Sequence, residues 1–158
     1  MKVKVLVKGP ALTQSGYGEH CRFVLRSLRT REDIFDIYLL NLPWGKTNWL
    51  FEDNEERRWI DSIINKTIPV LQSGQVAFDI SLQVTIANEL EQIAPKNFLV
   101  TAGIETDRVS PDWLKKCHEL ADKIIVVSKH SKDVFESTSM KAQNSQTGKV
   151  VDFKLQKP

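Results

Sequence analysis

Apolar and polar residues alternate at the start of the chain, where valines are interleaved with lysines over residues 2–8. β-branched residues in a short run that ends at a Gly-Pro pair are typical of a strand. A glycine-rich segment, residues 9–20, follows, and beyond it apolar residues recur at helical spacing beside arginines as far as Leu28. The pattern therefore predicts a strand, a glycine-rich turn and a helix.

The same succession of patterns continues along the chain. Further strands are predicted at residues 34–42, 76–84, 97–101, 124–127 and 150–155. Further helices are predicted at residues 52–71, 86–93, 111–120 and 129–135. The segment 137–148 is polar and poor in apolar residues. Alternating strands and helices predict an α/β protein in which a parallel sheet carries helices on both faces.

Helix boundaries follow from capping signals. We expect Asp53 to cap the helix at residues 52–71, Pro69 to end or kink it, and Gly74 to close it. Ser110, followed by Pro111 at the first helical position, is the expected cap of a later helix.

The loop at residues 43–51 contains two Trp and one Phe between its Pro, Gly and Asn residues. Aromatic side chains on a loop stack on a sugar or a base, or they pack the loop against the protein. Because Trp and Phe bury a large area wherever they lie, packing is the favoured interpretation.

Composition limits the function classes. The chain has 158 residues and is 41% hydrophobic, which is enough for one core. A net charge of +2 does not indicate a nucleic-acid-binding protein. The sequence shows no apolar run of membrane length and no signal peptide. Its two cysteines, Cys21 and Cys117, do not suggest a disulfide framework. A cytoplasmic location is therefore expected. The histidines have no metal-ligand spacing, so no metal site is predicted.

Polar residues follow the first, fourth and fifth predicted strands, at residues 15–20, 102–108 and 128–132. The carboxyl ends of parallel strands share one edge of the sheet, where ligands of α/β proteins bind. A helix that starts at this edge offers free N–H groups and the positive end of its dipole to phosphate. Gly16 and Gly18 either serve this purpose or permit the positive φ of a tight turn, and the two roles are compatible.

Two familiar phosphate-binding classes are disfavoured. The dinucleotide fingerprint needs a small third residue where Cys21 stands, and an acid at the end of the second strand, where Asn41 stands. The Gly-Lys-Ser/Thr triplet of nucleoside triphosphatases follows neither Gly9 nor Gly16. An NAD-binding oxidoreductase domain is thus only a weak alternative.

Taken together, a Gly-Tyr-Gly turn after the first strand, GIETDRVSPDW after the fourth and ADKIIVVSKHSKDVFE around the fifth resemble the N-terminal half of a GT-B glycosyltransferase of the glycosyl transferase group 1 type. The resemblance covers about residues 2–138. It implies a three-layer, Rossmann-like, doubly wound, mainly parallel sheet. In this family, the N-terminal domain shapes the acceptor side of a cleft, and a C-terminal domain binds most of the nucleotide sugar.

The resemblance also implies roles for individual residues. Residues 1–158 are expected to be one acceptor-side domain, a fragment that lacks the donor-binding domain. Alone, this fragment is expected to be inactive in hexosyl transfer. The full-length enzyme is expected to need no cofactor besides its nucleotide-sugar substrate. The candidate donor-binding residues are Ser15, Gly16, Tyr17, Gly18, Ser128 and Lys132. Glu105 and Asp107 are the candidate catalytic residues, positioning hydroxyls or stabilising positive charge, although many relatives carry a His in this loop.

Structural alternatives remain for these side chains. Glu105 and Asp107 could form an ion pair with Arg108 or cap neighbouring backbone, and Lys132 could be a solvated helix lysine. His20 and His130 are expected to be surface or helix-terminus residues. A second hypothesis, motivated by the aromatic loop, is a stand-alone Rossmann-like module that binds a glycan or a protein without catalysis.

Overall fold

The computed structural model describes residues 1–74, 77–143 and 148–155. The strands are β1 (Val3–Gly9), β2 (Phe35–Asn41), β3 (Ile80–Val84), β4 (Lys96–Val100), β5 (Lys123–Ile125), β6 (Ser139–Gln143) and β7 (Val150–Lys154). The α-helices are α1 (Gly16–Arg29), α2 (Glu55–Ser73), α3 (Pro111–Leu120) and α4 (Lys129–Ser137). A 3₁₀ helix, Ala87–Glu89, lies between β3 and β4.

Five strands form one parallel sheet in the order β2-β1-β3-β4-β5. In register, Val5 lies between Ile37 of β2 and Ile80 of β3. The predicted α/β, Rossmann-like, mainly parallel fold is therefore confirmed. The antiparallel pair β6-β7 is separate from the sheet. No helix within the described ranges is both long enough and apolar enough to cross a membrane.

Two main apolar cores lie on opposite faces of the sheet. One joins β1 and β2 to α1 and α2, and its members include Val5, Val7, Leu25, Ile37, Leu39 and Ile60. The other lies beneath the 3₁₀ helix, α3 and α4, and its members include Leu90, Leu99, Leu114, Cys117 and Phe135. The alternation of side chains along each strand divides the apolar residues between these cores.

Helix α2 lies along the outer edge of β2 and satisfies its backbone groups. The Leu39 N–H donates to the Thr67 hydroxyl (2.9 Å), and the Ile37 carbonyl accepts from the Lys66 ammonium (2.9 Å). An exposed edge would offer these groups to another strand. The side chains of α2 thus close this edge of the sheet.

The predicted boundaries of α2 need correction. Asn54, not Asp53, is the N-cap, because its side chain accepts from the Arg57 N–H at 2.8 Å. Pro69 lies inside the helix, which continues for another turn to Ser73. Gly74 then ends it in the left-handed conformation, φ 61°.

The predicted helix at residues 86–93 is wrong, since only the 3₁₀ turn forms there. Side-chain amides of two sheet residues instead form hydrogen bonds with backbone groups that an α-helix would have paired internally. Gln83 donates to the Glu91 carbonyl (2.7 Å) and accepts from its N–H (3.0 Å). Asn97 accepts from the N–H groups of Ile93 (3.0 Å) and Ala94 (3.1 Å). These bonds hold the segment extended across the sheet.

Strand boundaries also differ from the prediction. The third strand begins at Ile80, and Val76, its predicted start, lies outside the described residues. The fifth ends at Ile125, opposite Val100 at the end of β4, so Val127 is outside it. Strand β6 was not predicted, because its sequence is mostly polar.

Candidate functional site

The loops that follow β1 and β4 meet at the carboxyl edge of the sheet. Tyr17, in the first turn of α1, places its hydroxyl 3.3 Å from the Thr101 hydroxyl. The same oxygen accepts from the Ala102 N–H at 3.3 Å. Tyr17 therefore joins the N-terminus of α1 to the start of the loop after β4.

The loop after β4 also contacts the N-terminus of α4. The Ile104 N–H donates to the buried Ser131 hydroxyl at 3.1 Å, and that hydroxyl lies 3.0 Å from the Ser128 hydroxyl. A ring nitrogen of His130 lies 3.2 Å from the Thr106 carbonyl oxygen. The three polar segments that the sequence placed at one edge are thus linked by hydrogen bonds.

Ser15 is the N-cap of α1, and its hydroxyl accepts from the Gly18 N–H at 3.0 Å. The Gly18 amide is therefore already used. In the described part of the chain, the N–H groups of Gly16 and Tyr17 have no acceptor, as expected for a first helical turn. They are the donors that the positive end of α1 presents to solvent.

The positive-φ interpretation of the two glycines is wrong, since both lie in α1 without positive φ. Gly18 is instead required by packing, because an added Cβ would lie 2.2 Å from the Thr13 carbonyl oxygen. At Gly16 an added Cβ would meet nothing within 4 Å. Open space thus adjoins the free amides of α1.

The N-terminus of α4 has a similar arrangement. Ser128 is its N-cap and accepts from the Ser131 N–H at 3.0 Å. Lys132 is exposed and lies 3.6 Å from Glu136 on the same helix. An exposed pair at this spacing is weak, so the Lys132 ammonium remains available to another anion.

Glu105 and Asp107 are both exposed, and they line different cavities. Glu105 lines a cavity of about 400 Å³ that also includes Arg108 and Trp113. Asp107 lines a second cavity of about 330 Å³, and Arg108 borders it as well. No ion pair between Arg108 and either carboxylate occurs among the residues the structure describes.

A buried arginine fixes the loop before α1. Arg22 donates to the carbonyl oxygens of Ala11 (2.7 Å) and Thr13 (3.0 Å), and it pairs with Glu19 at 2.7 Å. Burial acts to raise the pKa of Glu19, but hydrogen bonds from Arg22 and Arg26 outweigh this and lower it. Sequence reasoning missed Arg22, although its spacing from Glu19 is that of a helical ion pair.

Neighbouring groups on α1 show no sign of nucleophilic chemistry. Burial raises the pKa of the Cys21 thiol to about 12, so the thiol stays protonated. Burial lowers the pKa of His20. Within the described ranges, no group of three or more His, Cys, Asp or Glu side chains is arranged to hold a metal ion.

The aromatic loop after β2 borders this site. Trp44 stacks on Tyr17, with ring centroids 4.4 Å apart and planes inclined by 38°. Sequence reasoning missed this pair, since the partners are distant in the chain. The favoured packing interpretation holds for Trp44 only, because Trp49 is 50% exposed and Phe51 is 84% exposed.

A comparison of the chain with known protein families, with curated proteins and with solved structures finds no match.

Proposed function

We propose that this chain is the acceptor-side domain of a glycosyltransferase that transfers a sugar, of the hexose class, from a nucleotide-activated donor to a hydroxyl acceptor. The observation that supports this most is the hydrogen-bonded group of loops at the carboxyl edge of the sheet. Tyr17 joins the loops after β1 and β4, and Ser131 joins those after β4 and β5. Ligands of doubly wound sheets bind at this edge.

In this proposal, the donor diphosphate lies at the N-terminus of α1. The amides of Gly16 and Tyr17, which have no acceptor among the residues that the structure describes, and the open space beside Gly16 provide donors and room for phosphate oxygens. Ser15 and Gly18 shape this turn rather than bind, since they bond to each other. Lys132 on α4 provides further positive charge, while Ser128 caps that helix as Ser15 caps α1.

Glu105 and Asp107 face solvent from the loop between the two helix N-termini. In the proposed enzyme they bind acceptor hydroxyls or stabilise positive charge that develops at the transferred sugar. Since they line separate cavities, they act on different groups of the substrate. A donor-binding domain completes the cleft, and the two cysteines, both buried thiols, suit the reducing cytoplasm.

The test is a titration of the isotope-labelled chain with UDP and with GDP, followed by amide NMR. Because the donor domain supplies most contacts, we expect weak binding, with a dissociation constant of about 1–10 mM. Shifts should be largest at the amides of Gly16, Tyr17, Lys129 and His130. Gly16→Asp should abolish them by charge repulsion at a position with room for the side chain.

Ser27→Asp is the matched control, because it adds the same charge on the exposed surface of α1, away from its N-terminus. It should leave the titration unchanged. Absence of shifts at these amides for both nucleotides would contradict the proposal. So would tight NAD binding, or turnover of a nucleotide sugar by this chain alone at about 1 s⁻¹ or faster.

A further inference from the structure

We infer that Trp49 and Phe51 form a stacking platform for a pyranose unit of an oligosaccharide acceptor. This inference rests on the proposed function and specifies its acceptor. The two residues lie on the loop between β2 and α2, which borders the carboxyl edge of the sheet. Their side chains are 50% and 84% exposed, whereas Trp44 on the same loop is covered by Tyr17.

Hydrogen bonds fix the backbone of the loop that carries the exposed rings. The Gln14 N–H donates to the Asn48 carbonyl (2.7 Å), and the Leu50 N–H donates to the Leu12 carbonyl (2.8 Å). Trp49 forms a bridge with Thr13 between these bonds. The Arg57 guanidinium also donates to the Leu50 carbonyl. A loop whose backbone is fixed in this way loses little further backbone entropy when a ligand stacks on its side chains.

The polar groups beside the rings suit a sugar. The exposed Glu52 carboxylate follows Phe51 directly and accepts from the Asn54 side-chain amide at 3.3 Å. Glu52 has no ion-pair partner among the residues that the structure describes. A pyranose presents C–H groups on one face, which contact an aromatic ring, and hydroxyls at its rim, which donate to carboxylates and amides.

The loop lacks the excess of positive charge that favours an anionic membrane surface. Residues 43–58 contain three cations, Lys46, Arg57 and Arg58, against four acids, and Asp53, Glu55 and Glu56 are paired with arginines. Anionic lipid headgroups attract basic segments and repel acidic ones. An uncharged, hydroxyl-rich ligand is compatible with the same surface.

The platform is connected to the proposed reaction site through side chains already described. The loop that carries it also carries Trp44, which stacks on Tyr17, and the Tyr17 hydroxyl contacts Thr101 and Ala102. A ligand of several sugar units offers contacts to both regions that a single sugar does not. We therefore expect hexasaccharides to bind more tightly than glucose.

The experiment titrates the whole chain with maltohexaose, cellohexaose, N-acetylchitohexaose and glucose, and monitors tryptophan fluorescence and amide NMR. We expect saturable binding of at least one hexasaccharide, with shifts at residues 48–52, and at least tenfold weaker binding of glucose. Trp49→Ala and Phe51→Ala should each weaken that binding about tenfold or more. Trp49→Phe should restore most of it.

Phe23→Ala is the matched control, because Phe23 is likewise exposed (56%) but lies on α1. It should bind the sugar as the unmodified chain does, and circular dichroism should show that every variant is folded. The inference fails if no glycan binds or if binding persists in Trp49→Ala. It also fails if the unmodified chain instead associates with phosphatidylcholine–phosphatidylglycerol vesicles or with itself, and Trp49→Ala abolishes that association.

The two proposals fail separately. If glycan changes the amide NMR shifts of residues 48–52 but nucleotide does not change those of Gly16 and Tyr17, the glycan site is retained and the glycosyltransferase assignment is overturned. Nucleotide shifts at α1 without a glycan response would retain the nucleotide site and overturn the platform.

Discussion

The two halves of the sheet are covered differently. Strands β1 and β2 are buried on both faces, and Val5 and Leu6, which point to opposite faces, are each 1% exposed. In β3, β4 and β5 one face is buried, and Leu99 on it is fully buried. The other face is covered only in part: Val84 and Val100 belong to the core beneath α1 and are 0% and 1% exposed, whereas Ile125, which pairs with Val100, is 44% exposed.

The partly covered face has an apolar groove of about 310 Å³ beside α1, and Leu82, Val100, Ile125 and Phe23 are among its lining residues. Parallel sheets usually carry helices on both faces. We therefore expect side chains in the closed cores to contribute most to the free energy of unfolding, and exposed side chains of this groove, such as Ile125, to contribute little. The following predictions test this difference.

The largest effect is expected at the covered face of β4. Asn97→Ala removes the acceptor of the Ile93 and Ala94 N–H groups and the donor to the Ala94 carbonyl (2.6 Å). Groups left without partners in the interior destabilise the fold, and we expect a loss of about 3–4 kcal/mol in the free energy of unfolding. Urea denaturation measures it. Asn88→Ala, at an exposed asparagine, should cost about 0.5 kcal/mol or less.

The second prediction compares the two faces of β4 and β5 directly. Leu99→Ala should reduce the free energy of unfolding by about 3 kcal/mol, because it leaves a cavity in a closed core. Ile125→Ala should reduce it by less than about 1 kcal/mol, since the side chain is half in solvent already. Equal losses in urea denaturation would show that Ile125 is covered in solution.

The third prediction concerns the edge of β2. Thr67→Val keeps the shape of the side chain but removes the acceptor of the buried Leu39 N–H. We expect a loss of about 2 kcal/mol in the free energy of unfolding. Thr30→Val, the same change at an exposed position, should cost less than about 1 kcal/mol. Hydrogen exchange of the Leu39 amide should accelerate only in Thr67→Val.

The smallest effect is expected where α1 meets α2 above β1 and β2. The Arg26 guanidinium donates to both Glu56 oxygens, at 2.5 and 2.8 Å, and lowers the pKa of that carboxyl. A lowered pKa stabilises the fold above the unfolded-state pKa of about 4.3, and this stabilisation is lost as the pH falls through the folded-state value. Because both side chains are partly exposed, Glu56→Gln should cost only about 0.5–1 kcal/mol at neutral pH.

The measurement is urea denaturation at pH 7 and at about pH 3, where the difference between Glu56→Gln and the unmodified chain should shrink. Glu55→Gln is the control, because Glu55 is 83% exposed and its pair with Arg29 should contribute almost nothing at either pH. A difference for Glu56→Gln that is independent of pH would exclude the ion pair as its cause.

The sequence predicted the strands of the sheet and most helices because their patterns are local. Alternating valines marked β1, and Ser110 with Pro111 marked the start of α3, as observed. The helix predicted at residues 86–93 failed because its competitors, Gln83 and Asn97, act from neighbouring strands. Their effect depends on tertiary structure, which periodicity does not contain.

The same limit applies to the candidate site. The strand ends were predictable, and with them the edge that carries Gly16, Glu105 and Ser128. The bonds that join these loops were not, since Tyr17 and Ala102, or Ile104 and Ser131, are distant in the chain. Likewise, the sequence suggested that Gly18 is a turn residue. In the structure it is a helical residue whose missing side chain leaves room for the Thr13 carbonyl oxygen.

The two edges of the sheet differ in whether their backbone groups are open to pairing with another strand. Thr67 and Lys66 occupy the groups that a new strand would need on that side. In the described part of the chain, the outer edge of β5 carries no strand. We therefore expect an additional strand to join the sheet more readily beside Lys123–Ile125 than beside β2.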